Sequence, residues 1–156
     1  MQFISPSKGR MTLEQVYQDI VAFMQGAPDA NFKVIIGTDS QVKEETCFVT
    51  AIIIHHVGRG ARYYYRKKRQ RKITSLRQKI FYETALSLET ASQLAGKLAA
   101  GGHEELNVEI HLDIGCKGET KELIREIVGM VVGSGFDAKI KPDSCGASKV
   151  ADKYTK

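Results

Sequence analysis

A chain of 156 residues, 42% hydrophobic and 26% charged, is long enough to bury a core of its own and has the proportions of a soluble globular protein. Its longest apolar stretch, residues 48–54, is strand-length and falls short of the roughly 18 residues that span a bilayer. The N-terminus, Met1-Gln2-Phe3-Ile4-Ser5-Pro6, lacks the long apolar core of a signal peptide, and Cys47, Cys116 and Cys145 show no paired spacing, so reduced thiols in a cytoplasmic protein are expected.

The net charge of +5 is local in origin. Arg59, Arg62, Arg66, Lys67, Lys68, Arg69, Arg71 and Lys72 fall in one stretch without an acidic residue; the remaining chain has 15 basic and 18 acidic residues, a net of −3. One concentrated basic patch on a mildly acidic chain attracts polyanions and steers their approach. The plainer reading of such a run is a solvated hairpin arm.

In chain order, residues 1–11 read as a loose leader. Thr12 and Gln15 have the form of a capping box, and Leu13, Val16, Ile20, Val21 and Phe23 recur at helical spacing, predicting a helix over about 13–25, within a 12–26 N-terminal segment. Three strand-like stretches follow at 32–38, 47–57 and 61–67, separated by polar or glycine turns, which reads as an antiparallel meander. A long helix over about 75–99 ends at Gly101-Gly102. A fourth strand at 106–112, a helix over 119–132, a fifth strand at 136–141 and a last helix over 145–154 complete the chain. The order (α)βββαβαβα predicts one domain over 1–156, with a core from 32 to 156 built on a mixed five-stranded sheet with helices on both faces.

Three carboxylates stand where an apolar segment ends. Asp39 follows Val34-Ile35-Ile36-Gly37-Thr38, Asp113 follows Val108-Glu109-Ile110-His111-Leu112, and Asp152 follows Val150-Ala151. An Asp directly after a buried strand sits on rigid backbone where the sheet meets water, and packing asks for no charge there. Such positions point to carboxylates converging on one hard divalent cation or a pair. Each has a structural alternative: an Asx turn at Asp39, a helix cap at Asp113, a fraying terminal helix at Asp152. His55 and His56 are adjacent in a strand, face opposite ways and cannot share an ion. No phosphate-binding Gly-x-x-x-x-Gly-Lys loop or dinucleotide-binding Gly-x-Gly-x-x-Gly turn is present.

The element order and the acidic residues in Gly37-Thr38-Asp39-Ser40, His111-Leu112-Asp113-Ile114-Gly115 and Val150-Ala151-Asp152 resemble the ribonuclease H-like superfamily, and more narrowly its YkuK-type family of predicted nucleases. The resemblance implies an α/β (α+β) fold and adds a fourth acid, Glu83, on the long helix. At about 100° per residue Glu83 lies on the border of the apolar arc, roughly 20° from Leu76 and Leu94, whereas its rival Glu89 points into solvent. It further implies a metal-dependent nuclease hydrolysing phosphodiester bonds of RNA, an RNA–DNA hybrid or DNA, with two Mg²⁺ (or Mn²⁺) ions held by Asp39, Glu83, Asp113 and Asp152. The expected nucleic-acid contacts are Ser40, Arg66, Lys67, Lys68, Arg69, Arg71 and Lys72. The chain departs from the family pattern in two ways. No histidine lies between the fifth strand and the last helix, where the loop offers Lys141, Asp143, Ser144 and Lys149. The basic run precedes the long helix instead of forming a separate handle after it. Two other expectations stand beside this one: a non-catalytic nucleic-acid-binding module on the same fold, and a dimeric junction resolvase.

Overall fold

The computed structural model describes residues 1–115, 121–141, 143–144 and 146–155. Strands β1 (Gln2–Ser5) and β2 (Gly9–Thr12) precede helix α1 (Leu13–Gln25), followed by β3 (Phe32–Val42), β4 (Thr46–His56), β5 (Gly60–Gln70) and helix α2 (Leu76–Ala100). Strand β6 (Asn107–His111), helix α3 (Lys121–Gly133), strand β7 (Asp137–Lys139) and helix α4 (Gly146–Thr155) follow. The mixed sheet runs in the order β2-β1-β5-β4-β3-β6-β7. Strands β3, β4 and β5 pair antiparallel over their whole lengths, and β6 and β7 add in parallel beside β3.

The sheet has seven strands where the pattern predicts five. Residues 1–11, expected as a loose leader, form a hairpin that extends the sheet through Ile4, opposite Tyr65. Four-residue strands carry too few alternations for periodicity to register. The signal lies in tertiary packing: Phe3 is fully buried and Met11 nearly so, against the same core as Val16 and Ile20. The turn between them uses Gly9 in the left-handed region, φ +74°.

Helix α1 begins at the expected capping box, in which the Thr12 hydroxyl accepts from the Gln15 amide at 3.2 Å and the Thr12 amide donates to the Gln15 side chain at 2.8 Å. Ser75 caps α2 through its hydroxyl alone, which accepts from the Gln78 amide at 3.3 Å. The expected start of the next helix at Glu119, and Cys116 and Cys145, lie outside the described residues; Cys47 is a free thiol.

Helices cover both faces, which is why Phe48 to Ile54 are buried without alternation. On one face Val34, Ile36, Ile52, Ile54 and Tyr64 pack with α1, α2 and α3. On the other, Ile35, Val49, Ala51 and Ile53 meet Ala147 and Ala151 of α4. No helix among the described residues is long and apolar enough to cross a membrane.

Candidate metal and nucleic-acid site

Strands β3 and β6 run parallel with Gly37 level with His111 as their last pair. Two residues beyond that pair stand Asp39 and Asp113 at one rim: Asp39 is still inside β3, opposite Val49, and not after the strand's end as the sequence suggests, whereas Asp113 lies just past the end of β6. Helix α4 crosses the same place because position 37 has no side chain. A Cβ at Gly37 would come within 2.8 Å of the Ala147 Cβ and 3.1 Å of the His111 carbonyl oxygen. With α4 seated there, Asp152 reaches Asp39, and their side chains hydrogen-bond. From the opposite face, α2 presents Glu83, which accepts from the Ser40 hydroxyl. Four elements thus bring four carboxylates to one rim, and each of Asp39 and Glu83 feels the negative charge of Asp113.

Asp113 is fixed from both sides. The Leu112 amide donates to the Lys139 carbonyl and the Lys141 amide to the Ile114 carbonyl, each at 2.8 Å, and the Ser144 hydroxyl donates to the Leu112 carbonyl at 2.8 Å. The loop after β7 is thereby tied to the end of β6. It brings the Lys141 ammonium to 2.9 Å from the Asp113 carboxylate.

Crowding shows in the proton affinities. The Asp39 carboxyl is pushed up to about 6, first by burial and then by the Asp113 charge and by Asp152, against the opposing hydrogen bond from the Ser40 amide. Glu83 is pushed up to about 8, again by burial first and then by the charges of Asp39 and Asp113, against the Ser40 hydroxyl and the Lys79 charge. Carboxyl groups are crowded at this rim, and oxygen-only donors of this kind suit a hard divalent cation. Between Glu83 and Asp113 lies a recess of about 10 Å³, floored by Thr38, Thr84 and Ser87, with room for about one water-sized particle. Among the described residues no three acidic, histidine or cysteine side chains are gathered closely enough to hold an ion as they stand. The donor chemistry fits Mg²⁺ or Mn²⁺; closing three or more donors on one point requires side-chain movement.

The expected nucleic-acid contacts are divided by strand alternation. Arg66 and Lys68 face the α2 side, where Arg66 pairs with Glu89 at 3.3 Å and the Lys68 ammonium lies 5.4 Å over the Tyr82 ring. Lys67 and Arg69 are exposed on the α4 side. Arg71 and Lys72 follow the end of β5 and are exposed. Ser40 is engaged with Glu83.

Three features escape a reading of the sequence. A buried hydroxyl chain links Thr50 to Thr38 at 2.9 Å and Thr38 to Ser87 at 2.7 Å beneath the rim. Apolar periodicity passes over it, because Thr84, Ser87 and Thr90 count as polar yet lie on the buried stripe of α2. A buried acid, Glu109, accepts from the His111 Nε2 at 3.1 Å and lies 3.6 Å from Lys33. The Lys141–Asp113 pair depends on how the β7–α4 loop folds back, which spacing does not encode.

A parallel extension of an antiparallel meander, with acids on β3, β6, α2 and α4 meeting at one rim, defines a class. The family model described as "Ribonuclease H-like" matches residues 15–156, and the chain belongs to that family. It is also 42% identical to the uncharacterized protein YkuK of Bacillus subtilis (strain 168), over 99% of this chain and 96% of that protein.

Proposed function

We propose that the protein is a metal-dependent nuclease that hydrolyses phosphodiester bonds in RNA, an RNA–DNA hybrid or DNA. The observation that carries this reading is the convergence of Asp39, Glu83, Asp113 and Asp152 on one rim, where Asp39 feels Asp113 and Asp152 and Glu83 feels Asp39 and Asp113 in a half-buried setting that a bound cation would relieve. Asp39, Glu83, Asp113 and Asp152 would hold the ions. Two divalent ions held there would supply a Lewis acid for the attacking water and another for the leaving oxygen. The chain's own residues do the rest. Gly37 lets α4 seat so that Asp152 stays beside Asp39. The loop after β7 orients Asp113 through its backbone bonds. Lys141, at the edge of the cluster, holds positive charge where a phosphate oxygen would approach.

A labelled panel of single-stranded RNA, an RNA–DNA hybrid, DNA and a four-way junction, incubated with Mn²⁺ and with EDTA, tests this. Cleavage of at least one substrate in Mn²⁺ and none in EDTA is expected. No cleavage, together with no Mg²⁺ or Mn²⁺ binding by calorimetry at millimolar levels, overturns it. The ammonium already paired with Asp113 favours one second reading, a non-catalytic nucleic-acid-binding module, and that double negative is its signature.

A further inference from the structure

The pairing register sets Lys67 and Arg69 of the basic run in line with the rim. Asp39, Val49 and Lys67 form one row across β3, β4 and β5, and Gln41, Cys47 and Arg69 form the next. Strands lie about 4.8 Å apart and alternate residues about 6.8 Å apart, so the Lys67 backbone is about 10 Å from that of Asp39 on one continuous surface.

Over these rows opens a cleft of about 510 Å³, whose lining sets Lys43, Lys67 and Arg69 against Glu44 and Glu45 beside Gln41 and Tyr154. Its wall is rigid: Tyr154 stacks on Tyr65 at 3.7 Å and shares a hydroxyl hydrogen bond with Tyr63 at 2.7 Å. Its floor is unfinished, because the Gln41 Oε1 is buried without a hydrogen-bond partner. A phosphate cannot satisfy that oxygen, whereas a base amino group or a sugar hydroxyl can. Glu45 approaches Arg69 at 3.7 Å, but both side chains are more than half exposed and such a pair holds the guanidinium weakly. The cleft has the size of a nucleotide-scale pocket and is too small to enclose a double helix.

We propose that this cleft is the channel of a single nucleic-acid strand that leaves the rim at Asp39 and runs along the α4 face. Lys67 and Arg69 sit on its phosphates and Gln41 on a base or sugar, while Arg66 and Lys68 serve the fold and take no part in binding. The proposal rests on the nuclease reading only for where the strand begins.

The test compares two variants of equal charge, Lys67→Gln/Arg69→Gln and Arg66→Gln/Lys68→Gln, with the parent protein. Fluorescence anisotropy of a labelled 20-mer single strand, RNA and DNA in turn, is read across a salt series in EDTA, after thermal melts confirm that each variant is folded. The first pair should weaken binding by at least about 10-fold near 0.1 M salt and flatten the slope of log K against log salt by about 1.4 to 1.8, as two lost phosphate contacts require. The second pair should stay within about twofold of the parent with the slope unchanged. Equal losses in the two pairs would mean a diffuse field and overturn the channel, as would no loss in either. A blunt duplex of the same length, bound by the parent as tightly as the single strand and weakened alike by the first pair, would overturn the single-strand assignment. Because binding is read in EDTA, absent cleavage in Mn²⁺ removes the nuclease reading and leaves the channel standing.

Discussion

At the scale of residues, Asp39 concentrates the chemistry. Replacing it with Asn keeps its size and much of its hydrogen bonding but removes a charge that would hold the ions. Asp39→Asn should lower cleavage at least about 10²-fold in a single-turnover assay while nucleic-acid affinity stays the same or rises through reduced repulsion. A variant that cleaves normally would place the metal elsewhere. The raised proton affinities carry a second prediction, whose sign is opposite to that of an ordinary salt-bridged carboxylate. Between 3.8 and about 6 for Asp39, and between 4.5 and about 8 for Glu83, the folded chain holds protons that the unfolded chain has released. This pair's contribution to stability therefore declines as pH rises through that window and levels off above about 8. Urea midpoints measured from about pH 4 to 9, without divalent ions, should show this decline relative to Asp39→Asn/Glu83→Gln. A parent whose midpoint rose relative to that variant would contradict it.

At the scale of elements, the seating of α4 on β3 decides whether the site exists. Gly37→Ala drives a methyl to 2.8 Å from the Ala147 Cβ and 3.1 Å from the His111 carbonyl, so α4 must lift or β6 must shift. A loss of about 1–3 kcal/mol in unfolding free energy is expected, as for overpacked cores. Because Asp152 rides on α4, ion affinity should fall with it, which a calorimetric titration with Mn²⁺ reads directly. Loss of stability without loss of ion binding would show that α4 contributes packing alone. The N-terminal hairpin makes a different kind of contribution. Phe3 is fully buried against the α1 face of the sheet, so Phe3→Ala should cost about 3–5 kcal/mol in denaturant unfolding. A cost under about 1 kcal/mol would return residues 1–11 to the loose leader that their sequence suggests.

For the whole molecule, the crowding of carboxyl groups at one rim links metal to folding. With a dissociation constant of about 1 mM, Mg²⁺ at about 10 mM should stabilise the protein by about 1.4 kcal/mol and raise its melting temperature by about 4 °C. Asp39→Asn should lose most of that shift. An identical melting temperature in Mg²⁺ and EDTA would count against a metal site. The basic run and this rim lie on one sheet face through Lys67 and Arg69, so the charge asymmetry legible in composition has a direction in space.

Hydrophobic periodicity and turn residues suffice to predict the meander, the long helix and the return through parallel strands, because each follows from local alternation or a 3.6-residue repeat. Asp39, Asp113 and Asp152 stand out in the sequence for the same reason, as charges at the ends of apolar runs. Glu83 needed both the family resemblance and helix geometry to be chosen over Glu89, which the structure pairs with Arg66 in solvent. Register and helix seating were decided only by tertiary structure. Alternation shows that Arg66 and Lys67 face opposite ways, but not which of them shares a face with Asp39, since that depends on how β4 aligns β3 with β5. The hairpin of residues 2–12 and the Lys141–Asp113 pair likewise arise from contacts between segments far apart in the chain, which no local pattern records.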